Sequence, residues 1–169
     1  MICRDSLVRT VKLCVKVLQG RNLVAKDTNI FGTKTTSNPY VKVYLGSMRT
    51  PLGQTRTVFK ALDPDFGTPP VTKTSITSNW GSGNASNTNS FERVILVRSL
   101  SDYKYVLCHI FDHDVISKDD SMGTVTIPLP DMHDLRLVNW YKVEFGDGDM
   151  YCENASGELL VKMEIKTKY

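Results

Sequence analysis

From Val11 the run Val-Lys-Leu-Cys-Val-Lys-Val alternates apolar and polar positions, so that Val11, Leu13, Val15 and Val17 share one face. That is the period of a half-buried strand, not of a helix. Further β-branched and aromatic runs bounded by Gly, Pro, Asn or Asp predict strands over 40–45, 55–60, 91–97, 105–111, 123–128, 140–145 and 158–166. Eight short strands, with no amphipathic helix beyond a single turn at 131–136, predict an all-β chain built as two packed antiparallel sheets. The stretch 67–90 breaks the pattern. It is rich in Thr, Ser, Asn and Gly, contains Pro69, Pro70 and Trp80, and reads as a loop insertion in a single domain spanning residues 1–169.

Composition changes this picture little. A hydrophobic content of 41% and a charged content of 23% over 169 residues are those of one globular domain with a full core. A net charge of +3 is too small to argue for nucleic acid. Cys3, Cys14, Cys108 and Cys152 have no metal-site spacing and read as reduced thiols in a cytoplasmic protein, with Cys14 and Cys108 inside strands. No apolar run is long enough to span a bilayer, and the start of the chain lacks a signal-peptide core.

Candidate chemistry concentrates at 109–123, where an apolar strand runs into Asp112, Asp114, Asp119 and Asp120 on one short loop. Asp112, Asp114 and Asp120 follow a D-x-D-x-x-x-x-x-D spacing. Carboxylates held this closely repel one another unless a cation joins them. Hard oxygen donors on a flexible loop, with no Cys among them, suit Ca²⁺ better than zinc or copper.

With strands on both sides of the acidic loop, the chain resembles the C2 domain family, the calcium- and phospholipid-binding β-sandwich of protein kinase C and synaptotagmin. Residues 13–27, where an alternating strand leads to Asn22-Leu23 and then Asp27, look like the family's strand signature. Ser37-Asn38-Pro39-Tyr40-Val41 resembles its Ser-Asp-Pro-Tyr-Val motif, 55–64 its Lys-Thr…Leu-Asn-Pro segment, 111–123 its third calcium-binding loop, and Trp140-Tyr141 a late Trp-Tyr. These motifs occur in the family's order. A strand at 157–165 after the Trp-Tyr is similar to the circularly permuted arrangement called type II.

The resemblance implies a metal site formed by Asp27 of the first loop and Asp112, Asp114 and Asp120 of the third, with Ser117 adding an oxygen. Asn38 stands where the motif has a bridging aspartate, and its neutral amide oxygen is a weaker ligand. The first loop is also about five residues longer than in synaptotagmin. Calcium affinity is therefore expected in the weak part of the range, roughly 10⁻⁵ to 10⁻³ M without membrane.

The partner implied is an anionic phospholipid membrane, phosphatidylserine in particular. Ile30 and Phe31 beyond Asp27, and Val115 and Ile116 beyond Asp114, are apolar residues on polar loops that would insert among headgroups. Some members carry a second, basic groove for phosphoinositide. Lys42, Arg56 and Lys60 fall on the matching strands, although Gln54 stands where those members have a lysine, so the pull is modest. Two functions follow as alternatives: a non-catalytic module that targets membranes when calcium rises, peripheral to the membrane on activation, or a calcium-independent module that binds a protein partner. A hydrolase using His109 and His113 finds no nucleophile in recognisable context. Catalysis, if the full-length protein has any, would belong to a separate domain.

Overall fold

The computed structural model describes residues 10–28, 30–67, 92–97, 102–130 and 135–168. Among the described residues ten strands run in chain order: β1 (Thr10–Arg21), β2 (Asp27–Thr28), β3 (Lys34–Thr36), β4 (Pro39–Leu45), β5 (Gly53–Gln54), β6 (Glu92–Val97), β7 (Tyr105–Asp112), β8 (Asp120–Pro128), β9 (Leu135–Lys142) and β10 (Glu158–Lys168). One four-stranded sheet has the order β6-β1-β10-β9 and the other β5-β4-β7-β8, while β2 and β3 form a separate hairpin. Every pairing is antiparallel. The two large sheets make the antiparallel β-sandwich that the resemblance implies.

Alternation decides what lies between the sheets. Val11, Leu13, Val15 and Val17 of β1 are buried with Leu159, Val161, Met163 and Ile165 of β10. From the second sheet come Val41, Val43 and Leu45 of β4, Val106, Cys108 and Ile110 of β7, and Val125 and Ile127 of β8. Cys14, Cys108 and Cys152 are buried, and burial pushes the Cys108 thiol up to about 12, which keeps it protonated. Cys3, Trp80 and most of the 67–90 insertion lie outside the described residues.

Two sequence expectations are corrected. Residues 55–60 are not a strand, because the Thr55 side chain intercepts the ladder: its Oγ1 accepts the Val41 N–H at 2.9 Å in place of a backbone carbonyl. The segment still follows β4 through Thr55 N–H to Val41 O and Val58 N–H to Pro39 O, then turns at Lys60, whose φ is 54°. The helical turn expected at 131–136 fails at its described end, since Leu135 and Arg136 open β9 and pair with Ile165 and Glu164. Residues 131–134 are outside the described residues. The other expected strands are present with shifted ends; β8 begins at Asp120 and β9 ends at Lys142.

Candidate functional site

Three connections meet at one end of the sandwich. The first, between β1 and β4, contains the β2–β3 hairpin, so its extra residues fold back on themselves with Asp27 opposite Thr36. Gly32 takes φ 78° at the hairpin's turn, a conformation open to glycine at little cost. The root of the connection is pinned by Ser37, fully buried, whose Oγ donates to Val24 O and accepts from Lys26 N–H. The second connection leaves β5 through the Lys60 turn. The third joins β7 to β8, whose last register pair sets Asp112 against Asp120. Gly123, at φ 108°, follows an irregularity in that ladder, and a side chain there would meet the Glu144 carbonyl.

Asp27, Asp112 and Asp114 converge, each offering a carboxylate oxygen within 4.8 Å of the others. Asp112 is the buried member, 2% exposed, and its Oδ1 accepts the Asn38 backbone N–H at 2.6 Å. Burial pushes its carboxyl up to about 6 against that hydrogen bond, and the charges of Asp27, Asp114 and Asp120 push the same way. An all-oxygen set of mutually repelling carboxylates on loops fits a hard divalent cation. Asp120 stands outside this group, and the Ser117 hydroxyl donates to Asp114 Oδ2 at 2.9 Å.

Asn38 is in the site but presents its nitrogen. Its Nδ2 donates to Asp27 Oδ2 at 3.2 Å and to the His113 carbonyl at 3.3 Å, while its Oδ1 accepts the Lys60 N–H at 3.1 Å. The Lys60 donor fixes the orientation, because a flipped amide would set N–H against N–H and oxygen against two acceptors. One neutral side chain thus ties all three connections together. The expectation of a ligating amide oxygen is not met in this arrangement.

The sequence reading placed Asp119 on the acidic loop but gave it no role. Its Oδ2 accepts the Tyr40 hydroxyl at 2.6 Å, and its Oδ1 accepts the Asp114 N–H at 3.0 Å and His113 Nδ1 at 3.1 Å. Burial alone would raise the Asp119 carboxyl, but these donors outweigh it and hold it below the ordinary carboxylate range. Asp119 therefore braces the third loop from within. Burial with the Asp119 hydrogen bond raises the Tyr40 hydroxyl's pKa well above its usual value, so it stays a donor. Its spacing from Asp114 gave no sign of this, since the partner Tyr40 lies 79 residues away.

The tip residues Ile30, Phe31, Val115 and Ile116 are 94, 84, 89 and 99% exposed. Lys42, Arg56 and Lys60, expected to line a basic groove, are dispersed in their contacts. The Lys42 ammonium lies 4.4 Å from the Phe111 ring, Arg56 Nη2 donates to the Asp65 carbonyl, and Lys60 stands at the acidic end. His109, 3% exposed, is held by Ser121, whose hydroxyl donates to Met150 O; the imidazole must therefore donate through Nε2. Burial, with the Lys42 charge, lowers it to about 4, so it is neutral at pH 7.

A family model described as C2 domain matches residues 11–78 and 87–143. The chain belongs to the C2 domain family. C2 domains are as a rule non-catalytic modules, and they commonly bind calcium and membrane phospholipid. This C2 domain is similar in fold to the calcium-bound tandem C2 domains of extended synaptotagmin 2, at 20% identity and a TM-score of 0.60, covering 91% of this chain and 45% of that one. It is also similar to a C2 domain of plant extended synaptotagmin 1, at 18% identity and a TM-score of 0.59, covering 94% of this chain and 95% of that one. Human GIVD cytosolic phospholipase A2, in complex with methyl gamma-linolenyl fluorophosphonate, matches at 17% identity and a TM-score of 0.59. The match covers 93% of this C2 domain and 17% of the phospholipase chain. Among the described residues no helix is long and apolar enough to cross a membrane.

Proposed function

We propose that this chain is a non-catalytic membrane-targeting module that binds anionic phospholipid in a calcium-dependent manner through its first and third connections. The observation that carries this is one juxtaposition: Asp27, Asp112 and Asp114 meet within 4.8 Å between two loops whose tips leave Ile30, Phe31, Val115 and Ile116 almost wholly in water. Those three carboxylates would hold the ion, with Asp120 adding charge beside Asp112. Bound calcium would cancel the repulsion among them and offer open positions to lipid phosphate or serine carboxylate. Large apolar side chains cost free energy in water and recover it among headgroups, while the bilayer itself is met from one side only. The protein would accordingly be cytoplasmic and peripheral to the membrane on activation. Residues 1–169 are taken as one C2 unit with 67–90 as an insertion. The type II arrangement is supported by the closing strand β10 lying between β1 and β9.

Sedimentation with phosphatidylserine vesicles in calcium and in chelator, for the parent and Asp112→Asn/Asp114→Asn, tests this. Calcium-dependent binding that the double variant loses supports it; parent binding that ignores calcium sinks it. The second reading, a calcium-independent module for a protein partner, is favoured by the Asn38 Nδ2 that already satisfies Asp27 Oδ2. It predicts no vesicle binding in either condition.

A further inference from the structure

We propose that the outer face of the second sheet carries a binding site for an alkylammonium group, in a cavity walled on one side by the segment that follows β9. The cavity measures about 390 Å³. Tyr105 and Leu107 of β7 and Thr124 of β8 line it from the sheet, while Glu144, Asp147 and Met150 line it from the covering segment. It shares no residue with Asp27, Asp112 and Asp114, so the inference stands apart from the calcium reading.

The wall is fixed by bonds along its length. Glu144 is bridged to β8 in both directions, Thr124 N–H donating to Glu144 O at 2.9 Å and Glu144 N–H to Thr124 O at 2.8 Å. The segment then closes on itself. Cys152 N–H donates to Phe145 O at 2.7 Å, and the Met150 carbonyl accepts the Ser121 hydroxyl at 2.7 Å. Gly146, at φ 72°, lets the chain pass so close to Met150 that any side chain there would strike its carbonyl. The cavity is therefore held open by the fold before any ligand arrives.

Two observations name the ligand's chemistry. β8 turns Val125 and Ile127 into the core, so alternation sends Thr124 to the outer face, where it is 4% exposed and opens on the cavity. Among the described residues its hydroxyl has no hydrogen-bond partner. A buried hydroxyl left unpaired costs free energy that a ligand donor recovers. The second observation is charge. Glu144 and Asp147 are both exposed, neither is in an ion pair among the described residues, and Asp147 makes no capping bond to the short 3-10 turn behind it. No basic side chain lines the cavity. Two uncompensated carboxylates select a cation, and Leu107, Met150 and the Tyr105 ring offer apolar surface to the stem that carries it. A bare metal ion fits poorly, because the volume is more than ten times the share of one liquid water, about 30 Å³. Nor do Glu144 and Asp147 converge with a third metal-binding group as Asp27, Asp112 and Asp114 do. An ammonium on an alkyl stem is carried by a lysine side chain of another protein and by a free polyamine.

The test follows backbone amide shifts of the full chain, without calcium, as three probes are added: a blocked peptide with one lysine among alanines, the same peptide with norleucine, and spermidine. The two cations should give saturable shifts at Leu107, Thr126, Gly146 and Asp147, and the norleucine peptide none. Tighter binding of the lysine peptide identifies the source as a basic protein segment; tighter binding of spermidine identifies a free polyamine. Glu144→Gln/Asp147→Asn should weaken the cations roughly tenfold or more, and Thr124→Val roughly threefold or more, with thermal midpoints showing that each variant folds. The site is refuted if the norleucine peptide binds as well as the lysine peptide, or if the double variant binds the cations like the parent. It is refuted equally if millimolar cation shifts nothing, or shifts only Asp112, Asp114 and their neighbours at the acidic end.

Discussion

Asp112→Asn removes a charge that the fold holds against both burial and three neighbouring carboxylates. Raising a carboxyl from 3.8 to about 6 disfavours its ionised form by about 3 kcal/mol at neutral pH. That shift is already net of the Asn38 hydrogen bond, and the substituted amide, like the protonated acid, keeps an oxygen for the Asn38 N–H. In chelator at pH 7 the variant should therefore be more stable than the parent by about 2–3 kcal/mol. The pH dependence has a definite sign. A carboxyl whose folded-state pKa is raised contributes stability that is fully present below its unfolded value and is lost as pH rises through about 6. The advantage of Asn should accordingly be absent near pH 3.8, grow across the interval, and be complete at pH 7. Urea unfolding at several pH values in chelator measures it. Calcium should then offset this advantage, since a ligand at a hundred times its Kd stabilises the parent by about 2.7 kcal/mol and the crippled site by less. A variant that is destabilised at pH 7 by the same amount as at pH 4 would refute the reasoning: the carboxylates would not be in repulsion, and Asp112 would be serving only as a hydrogen-bond acceptor.

Asn38→Asp exchanges a donor to Asp27 and His113 for a second charge beside Asp27, so the protein in chelator should lose about 1–3 kcal/mol while calcium affinity by titration calorimetry rises roughly tenfold or more; unchanged affinity would mean that no ion is held here. Tyr40→Phe should cost about 1–2 kcal/mol in urea and quicken amide exchange at Asp114, because Asp119 loses its shortest donor; exchange that does not change would remove Asp119 as the brace of the third loop. Leu13→Ala, at a fully buried site paired with Ile165, should cost about 3 kcal/mol without altering calcium affinity, and a coupled loss of both would show that the loops draw on the core for their geometry.

What could be read along the chain was whatever repeats over a few residues. Val11, Leu13, Val15 and Val17 announce a strand and its buried face because side-chain direction alternates locally, and Asp112 and Asp114 announce an acidic cluster because they lie two residues apart where a strand runs into a loop. The motif order from Leu13 to Tyr141 carried the family for the same reason, each piece being contiguous. Three things needed the folded chain. Whether Thr55 begins a ladder strand depends on a hydroxyl meeting the Val41 N–H across the sheet. That Asp119 braces the third loop depends on Tyr40, and the orientation of the Asn38 amide is set by Lys60 and His113. Spacing alone could not separate two adjacent aspartates, because their difference is made by partners far away in sequence. Local pattern was enough for the sheets, the core and the presence of an acidic end. Which carboxylates converge and which one braces the loop came from the fold, since hydrogen bonds between distant segments follow from packing and leave no local period to read.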